Sequence, residues 1–544
     1  MMKPYVQVLL LTTSLACAAA QSGTQSADPL IVSRDVAVVA TESGTIQGFV
    51  HRGIYTYRGI PYARAARFLP PEKVAASDKV RSAFNYGFIC PQAQPETINE
   101  RGEFFTAHRL WITNDDCQNL NIWTPSIMDG KRRPVMVWFH GGGYTNGSSI
   151  EQIVYDGENL SRKGDVVVVT VNHRLNVAGF LDLSAYGPKY RYSGNVGIMD
   201  LVAALQWIQA NIAHFGGDPS NVTIFGQSGG GGKVMTLLAI PAAKGLFHKA
   251  IIESGAARGL GMTLPESKTS RRIAELTLQN LGLDPANVDQ LQSMPYHQLN
   301  EASDKALKQF SKESGQKGLL GGIGWSPVVD GDYIPAQPFD TRAPSQSEDI
   351  PLMIGSTLNE FPLAAFNPRT QGSDGWSMDQ LKAYFRETHP DKVDAIVAAY
   401  QKSYPGMKSN QWLYVDTLFR PGTIATAAMK SDQHKAPVYL YLFTWQSPIM
   451  DYAAGAPHCA EIPFVFDNIT LMEQSTGGGK AALALADKVS EAWINFARHG
   501  DPNNSGLPKW PAYTRDNGAT MMLDNASEVR HHHDEELMRL FAPD

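Results

Sequence analysis

The stretch Val222-Thr-Ile-Phe225-Gly226-Gln227-Ser228-Gly229-Gly230 constrains this chain more than any other. Its β-branched, apolar start at 222–225 reads as a short buried strand, and the pattern resumes at 233–238 as a helix, so Ser228 falls on the turn between them. A strand that gives way to a helix within so few residues forces its central residue into strained dihedrals. It also leaves no room for side chains two positions to either side, where Gly226 and Gly230 stand. A serine presented in this way is a candidate nucleophile. In a chain with 48 glycines the pentapeptide alone is a modest signal, so the other parts of a nucleophilic site must be found elsewhere.

One part lies upstream. The nearly continuous apolar run 134–139 reads as a strand buried on both faces and ends in His140-Gly141-Gly142-Gly143-Tyr144. Three consecutive glycines let backbone N–H groups point at a closely approaching anion. By itself the triplet suits a flexible loop; the companion serine favours the oxyanion reading. The run 166–171 is another buried strand. Leu201, Leu205, Ile208, Ile212 and Phe215 mark one face of an amphipathic helix, which Gly216-Gly217-Asp218-Pro219 stops. A further strand at 250–253 ends at Ser254-Gly255. Buried strands alternating with helices predict an α/β architecture: a mostly parallel central sheet with helices on both faces and reactive groups at the carboxyl ends of the strands.

Around this centre, the runs 36–40, 45–50 and 54–58 predict a small N-terminal antiparallel sheet, and Gly59-Ile60-Pro61-Tyr62-Ala63 breaks that pattern. Residues 266–310 read as a helical insertion broken at Gly282, Pro285 and Pro295, one that could shape a pocket or be purely structural. Strands at 351–355 and 438–443, helices at 378–387, 392–403 and 481–498, and a small terminal helix complete the outline. No repeat or linker divides the chain, so 21–544 is expected to form a single domain despite its length.

The first twenty residues have the form of a secretory signal: Lys3, an apolar stretch at 6–15 and small residues ending at Ala20. The expectation is an exported protein, secreted or periplasmic, beginning near Gln21. The h-region is too short to span a bilayer, and nothing later reads as a transmembrane helix. Of four cysteines, Cys17 leaves with the signal. Cys90, Cys117 and Cys459 then allow at most one internal bridge, which we assign to Cys90 and Cys117. A formal charge of −6 without a long basic block offers no polyanion-binding face, which argues against nucleic acid as a partner. His531-His532-His533 could hold a metal, but three adjacent side chains do not converge on one ion, so exposed imidazoles are expected.

A serine nucleophile needs a base, and the base an orienting acid. Glu360 and His458 supply the order serine, acid, histidine, each on a loop after a strand or proline break. Spacing alone does not select them, since most glutamates are solvated and a lone histidine is usually structural. From about Gly44 to its end the chain resembles the type-B carboxylesterase and cholinesterase family of α/β-hydrolases. The motifs that carry this are Gly59-Ile-Pro-Tyr-Ala63, Asp115-Asp116-Cys117 into Asn121-Ile-Trp-Thr-Pro125, the strand and glycine triplet through Tyr144, Gly194-Asn195-Val-Gly197-Ile-Met-Asp200, residues 211–225, the serine turn, 355–360 and 455–466.

The resemblance implies Ser228 as nucleophile, Glu360 as acid and His458 as base, with oxyanion donors at the backbone N–H groups of Gly142, Gly143 and Gly229. It also implies the Cys90–Cys117 bridge and structural ion pairs Arg67–Asp115 and Arg174–Asp200. The reaction implied is hydrolysis of a small-molecule carboxylic ester through an acyl-enzyme, with neither metal nor organic cofactor; oligomeric state is not implied. Two departures bear on substrate. Gln227 stands where the family more often has glutamate, and Ala107 falls where cholinesterases place a tryptophan, Trp111 lying four residues later, so choline esters are disfavoured. Cys459 is read as a packing residue or as a free thiol beside the site. The rival readings are a catalytically silent adhesion or binding protein on the same fold and an acyl hydrolase of amides, lactones or thioesters.

Overall fold

The computed structural model describes residues 29–93, 97–256, 263–315, 324–361 and 372–542, without the side chain of Arg101. The signal segment and Cys17 lie outside the described residues. Among the described residues fourteen strands appear, in chain order: β1 (Val38–Thr41), β2 (Gly44–Gln47), β3 (Phe49–His51), β4 (Ile54–Pro61), β5 (Ser77–Ser82), β6 (Asn119–Thr124), β7 (Arg133–Phe139), β8 (Val167–Val171), β9 (Gly217–Gln227), β10 (Lys249–Glu253), β11 (Leu352–Thr357), β12 (Val438–Phe443), β13 (Ala519–Leu523) and β14 (Glu528–His531). Eleven of them make one sheet in the order β14-β13-β12-β11-β10-β9-β7-β8-β6-β4-β3. The run from β13 to β8 is parallel throughout, and antiparallel strands close both edges.

Strand periodicity divides the core. On β7, Val135, Val137 and Phe139 point into one apolar cluster while Met136 and Trp138 point into the other. On β9, Val222 and Ile224 are likewise separated from Phe225. Two buried faces leave no polar positions, which is why these strands read as continuous apolar runs. Helices Val196–Asn211 and Gly229–Leu237 cover the first face, and Lys480–His499 packs across the second.

Three local expectations are corrected. The N-terminal runs do not form one antiparallel sheet: β1 and β2 pair antiparallel, β5 joins β2 in parallel, and the β3–β4 hairpin belongs to the large sheet. The segment at Gly59 does not end the strand either. Gly59, at φ 65°, accommodates a register shift, and β4 continues to Pro61 along β6. Helix Val196–Asn211 is buried around most of its circumference rather than along one stripe, because other segments of the chain cover its outer side; Gly216, at φ 76°, ends the 3₁₀ turn that extends it. The stretch Pro188–Phe215 is apolar enough to cross a membrane on length and composition, yet most of it is buried within the protein.

The helices of the insertion are Ser267–Leu281 and Tyr296–Ser314, separated at Gly282 and at both expected prolines. Cys90 and Cys117 are joined, with Cα atoms 5.0 Å apart. Arg67 grips Asp115 with two hydrogen bonds of 3.0 and 2.7 Å, and Arg174 grips Asp200 with 2.8 and 2.7 Å. The three C-terminal imidazoles diverge. His531 faces the Asn517 carbonyl, His532 sits between Glu535 and the Asp516 carbonyl, and His533 packs edge-on to Tyr404.

Candidate active site

Ser228 stands between β9 and the helix Gly229–Leu237 with φ 57° and ψ −125°, a conformation L-residues rarely hold. Its N–H donates to the Glu253 carbonyl at 2.8 Å, which helps hold the turn. A Cβ at Gly226 would come within 2.6 Å of the Phe139 oxygen, and one at Gly230 within 2.0 Å of the same atom. Neither position can therefore carry a side chain while β7 and β9 remain paired. The serine is half-buried, so its hydroxyl stays within reach of a ligand.

The glycine triplet lies alongside. Gly142 and Gly143 adopt φ 76° and 62°, and the chain folds back so that Thr145 and Asn146 donate to the Gly142 carbonyl at 3.2 and 3.0 Å. Gly229 abuts the triplet so closely that a Cβ there would sit 2.1 Å from the Gly143 oxygen. The structure thus brings the backbones of Gly142, Gly143 and Gly229 together beside Ser228. Gly142 is exposed and Gly143 half-buried, so this stretch of backbone is open to a ligand.

Glu360 and His458 meet through their backbones as well as their side chains. Residues 359–360, just beyond β11, are zipped to 456–458: Asn359 N–H donates to the Ala456 carbonyl and His458 N–H to the Glu360 carbonyl, both at 3.1 Å. His458 Nδ1 then lies in hydrogen-bond contact with Glu360 Oε2. The other carboxylate oxygen accepts from Ser254 Oγ at 2.5 Å and Thr357 N–H at 2.8 Å. Ring contacts from Phe361 and Phe419, with centroids 4.3 and 5.3 Å away, flank the imidazole. Gln227 places its amide nitrogen 3.3 Å from each ring nitrogen, so it rests against the imidazole rather than at the end of one directed bond.

Several of these residues were not singled out from sequence. Ser254, just past β10 with φ 47° and fully buried, hydrogen-bonds to the Glu360 carboxylate; a serine-glycine pair closing a buried strand was its only sequence signal. Beneath it lie two more buried carboxyls. Glu253 accepts from Trp493 Nε1 at 2.7 Å, and burial pushes its carboxyl up to about 8. Glu461, three residues past the histidine, is held well above the usual carboxylate range by burial and by the charges of Glu253 and Glu360. Asp416, which accepts N–H bonds from Leu418, Phe419 and Arg420, is raised to about 7 by burial and by Glu360. Nothing in composition or periodicity marks these acids, because their neighbours come from other elements.

Cys459 has φ 71°, and its thiol donates to Gln227 Oε1 at 3.2 Å; burial keeps that thiol well above its ordinary pKa, so it acts as a packed donor rather than a thiolate. Trp111 packs edge-on to Tyr86, ring centroids 6.2 Å apart.

A largely parallel sheet with a serine turn, a glycine loop and a carboxylate–histidine pair gathered at its carboxyl edge defines the α/β-hydrolase fold. The chain belongs to the carboxylesterase family, whose pattern it matches over residues 35–541, and it is a carboxylic ester hydrolase. It is 35% identical over 497 residues to para-nitrobenzyl esterase of Bacillus subtilis, a match covering 90% of this chain and 95% of that one. Among solved structures, an esterase of Clostridium hathewayi superposes with a TM-score of 0.84 at 38% identity, covering 94% of this chain and 98% of its own. The carboxylesterase EST55 of Geobacillus stearothermophilus gives 0.74 at 34%, covering 93% and 100%.

Proposed function

We propose that the protein hydrolyses uncharged carboxylic esters through a Ser228–His458–Glu360 triad and an acyl-enzyme intermediate. The observation that carries this reading is the His458 Nδ1–Glu360 Oε2 contact, formed at the same edge of the sheet as the left-handed Ser228 turn. His458 takes the Ser228 proton as the hydroxyl attacks the ester carbonyl. The N–H groups of Gly142, Gly143 and Gly229 receive the oxyanion. His458 then protonates the departing alcohol, and water cleaves the acyl-enzyme by the same route.

Glu360 holds the imidazole tautomer and stabilises its charged form. Three buried carboxyls this close cannot all ionise. Ser254, Thr357 and His458 all hydrogen-bond to Glu360, while burial raises Glu253 and Glu461 so that they keep their protons. The neutral Gln227 leaves the imidazole without a second anionic neighbour.

Para-nitrobenzyl esterase and a Clostridium esterase said to hydrolyse aliphatic aromatic polyesters are among the relatives, which supports esters with an aromatic part as first substrates to try. We place export within the same proposal, with a signal at 1–20 and a catalytic unit at 21–544. A fluorophosphonate probe followed by peptide mass spectrometry tests the mechanism: label is expected on Ser228, and Ser228→Ala should abolish ester turnover. Absence of label together with absence of turnover would instead support a silent binding protein, and full turnover by the variant would refute Ser228 as the nucleophile. A panel of para-nitrophenyl esters beside matched amides, lactones and thioesters separates esterase from the other acyl hydrolases. N-terminal sequencing of protein from periplasm or medium should begin near Gln21.

A further inference from the structure

The helix that follows the nucleophile carries a lysine with no place in the steps above. Lys233 lies on the second turn of Gly229–Leu237 and is completely buried. Its ammonium donates to the His140 carbonyl at 2.8 Å, its single hydrogen-bond partner among the described residues. Taking an ammonium out of water for one carbonyl is unfavourable, and burial accordingly pushes the Lys233 pKa down to about 7, opposed only by the field of Glu151. Methionine would fill the same space without that cost, so packing does not account for the residue.

Its surroundings point to the oxyanion loop. His140 and His173 stack at 5.1 Å, each ring with Nδ1 against a backbone carbonyl, of Gly141 and Arg174 respectively. Burial and the nearby Lys233 hold both imidazoles well below their ordinary range, so they are neutral. Glu151, the acid nearest in effect, is engaged by the Ser148 N–H at 2.9 Å. The group Lys233 does grip, the His140 carbonyl, immediately precedes Gly141-Gly142-Gly143. At the other end of the triplet the Tyr144 ring lies with its centroid 5.9 Å from the ammonium, and its hydroxyl is 3.3 Å from Thr236 Oγ1 on the same helix. Lys233 is therefore bonded at one end of a glycine run that has no side chains with which to anchor itself and faces the aromatic ring at the other.

We propose that Lys233 is a positioning residue of the oxyanion hole, its ammonium clamping the glycine triplet from the nucleophile helix so that the Gly142 and Gly143 N–H groups are aimed at the carbonyl oxygen attacked by Ser228. This rests on the Ser228 reading above. Because both the clamp and the Gly229 N–H belong to one helix, the three donors keep their mutual geometry when the loop is approached by substrate. The clamp acts on transition-state stabilisation and leaves ground-state binding nearly untouched.

The test uses Lys233→Met, which keeps the length and loses the donor, and Lys233→Gln, which keeps a donor. Active sites are counted by phosphonate titration, so that misfolded material drops out. Per titrated site, Lys233→Met is expected to lower kcat by about ten- to a hundredfold with KM within about threefold, and Lys233→Gln to fall between it and wild type. A trifluoromethyl ketone, which forms a hemiketal oxyanion with the serine, should bind Lys233→Met more weakly by the same factor, whereas the corresponding alcohol should bind equally to both. A kcat per site within twofold of wild type, or equal weakening of ketone and alcohol, would overturn the proposal. If Lys233→Met does not fold, the same ketone-to-alcohol comparison on Lys233→Gln decides, since its ketone affinity must still fall. A wild-type protein that is not labelled at Ser228 refutes the triad reading itself; a labelled wild type with an unaffected variant refutes only the role of Lys233.

Discussion

Replacing Glu253 by glutamine tests how the carboxyls beneath the triad share their protons. Glu253 is fully buried at the end of β10, its Oε1 bonded to Trp493 Nε1, and burial raises its carboxyl from 4.5 to about 8. Between those values the unfolded chain has released the proton while the folded protein retains it, so rising pH favours unfolding. Each unit is worth about 1.4 kcal/mol, so the stability present near pH 5 falls by about 3 kcal/mol on reaching pH 7.5 and levels off above pH 8. Glutamine keeps an acceptor for Trp493 and has no proton to lose. Urea unfolding followed by tryptophan fluorescence at about pH 5, 6, 7 and 8 should therefore show Glu253→Gln gaining on wild type by about 3 kcal/mol across the range, with kcat within a few-fold. Parallel pH profiles for the two proteins would refute the assignment of a buried, neutral carboxyl to this position.

Glu360→Gln leaves the backbone zipper to residues 456–458 in place but removes the carboxylate that the proposed triad places on His458, so kcat should fall about 10³- to 10⁴-fold with little change in KM, measured by steady-state hydrolysis of a para-nitrophenyl ester. Ser254→Ala removes a hydrogen bond to that carboxylate worth about 2 kcal/mol, and should lower kcat about thirtyfold while phosphonate still labels the protein. Asp534→Ala strands the guanidinium of Arg420, which is bonded to Asp534 at two distances of 2.9 Å and buried with it; a loss of about 3–5 kcal/mol in urea stability is expected, with kcat per titrated site unchanged.

The central sheet was legible because strands buried on both faces leave an unmistakable apolar run, as at 134–139 and 222–225, and because Ser228 sits on a turn whose glycines have a steric cause. Edge elements were harder to place. The strands β3 and β4 carry the same short β-type signal as β1 and β2, and only their partners put them in different sheets. Strands β13 and β14 were missed, the first through its methionines, which favour no particular element, and the second as an exposed edge without alternation. Within the site, Glu360 and His458 were selected by family motif, since the pairing that unites them is a property of the closed sheet. Ser254, Glu461 and Lys233 act through neighbours distant in sequence, which no local pattern records.

The backbone zipper between residues 359–360 and 456–458 has a consequence for folding. Glu360 and His458 are 98 residues apart, and Gln227 is 231 residues from the histidine it touches. These contacts exist only once β12 has paired with β11, so they belong to the non-local, slow-forming class. Helices can regain their ellipticity, and the helical insertion its internal packing, before any catalytic geometry exists. Esterase activity is thus a late reporter of refolding: it should recover after the far-ultraviolet signal, together with closure of the sheet.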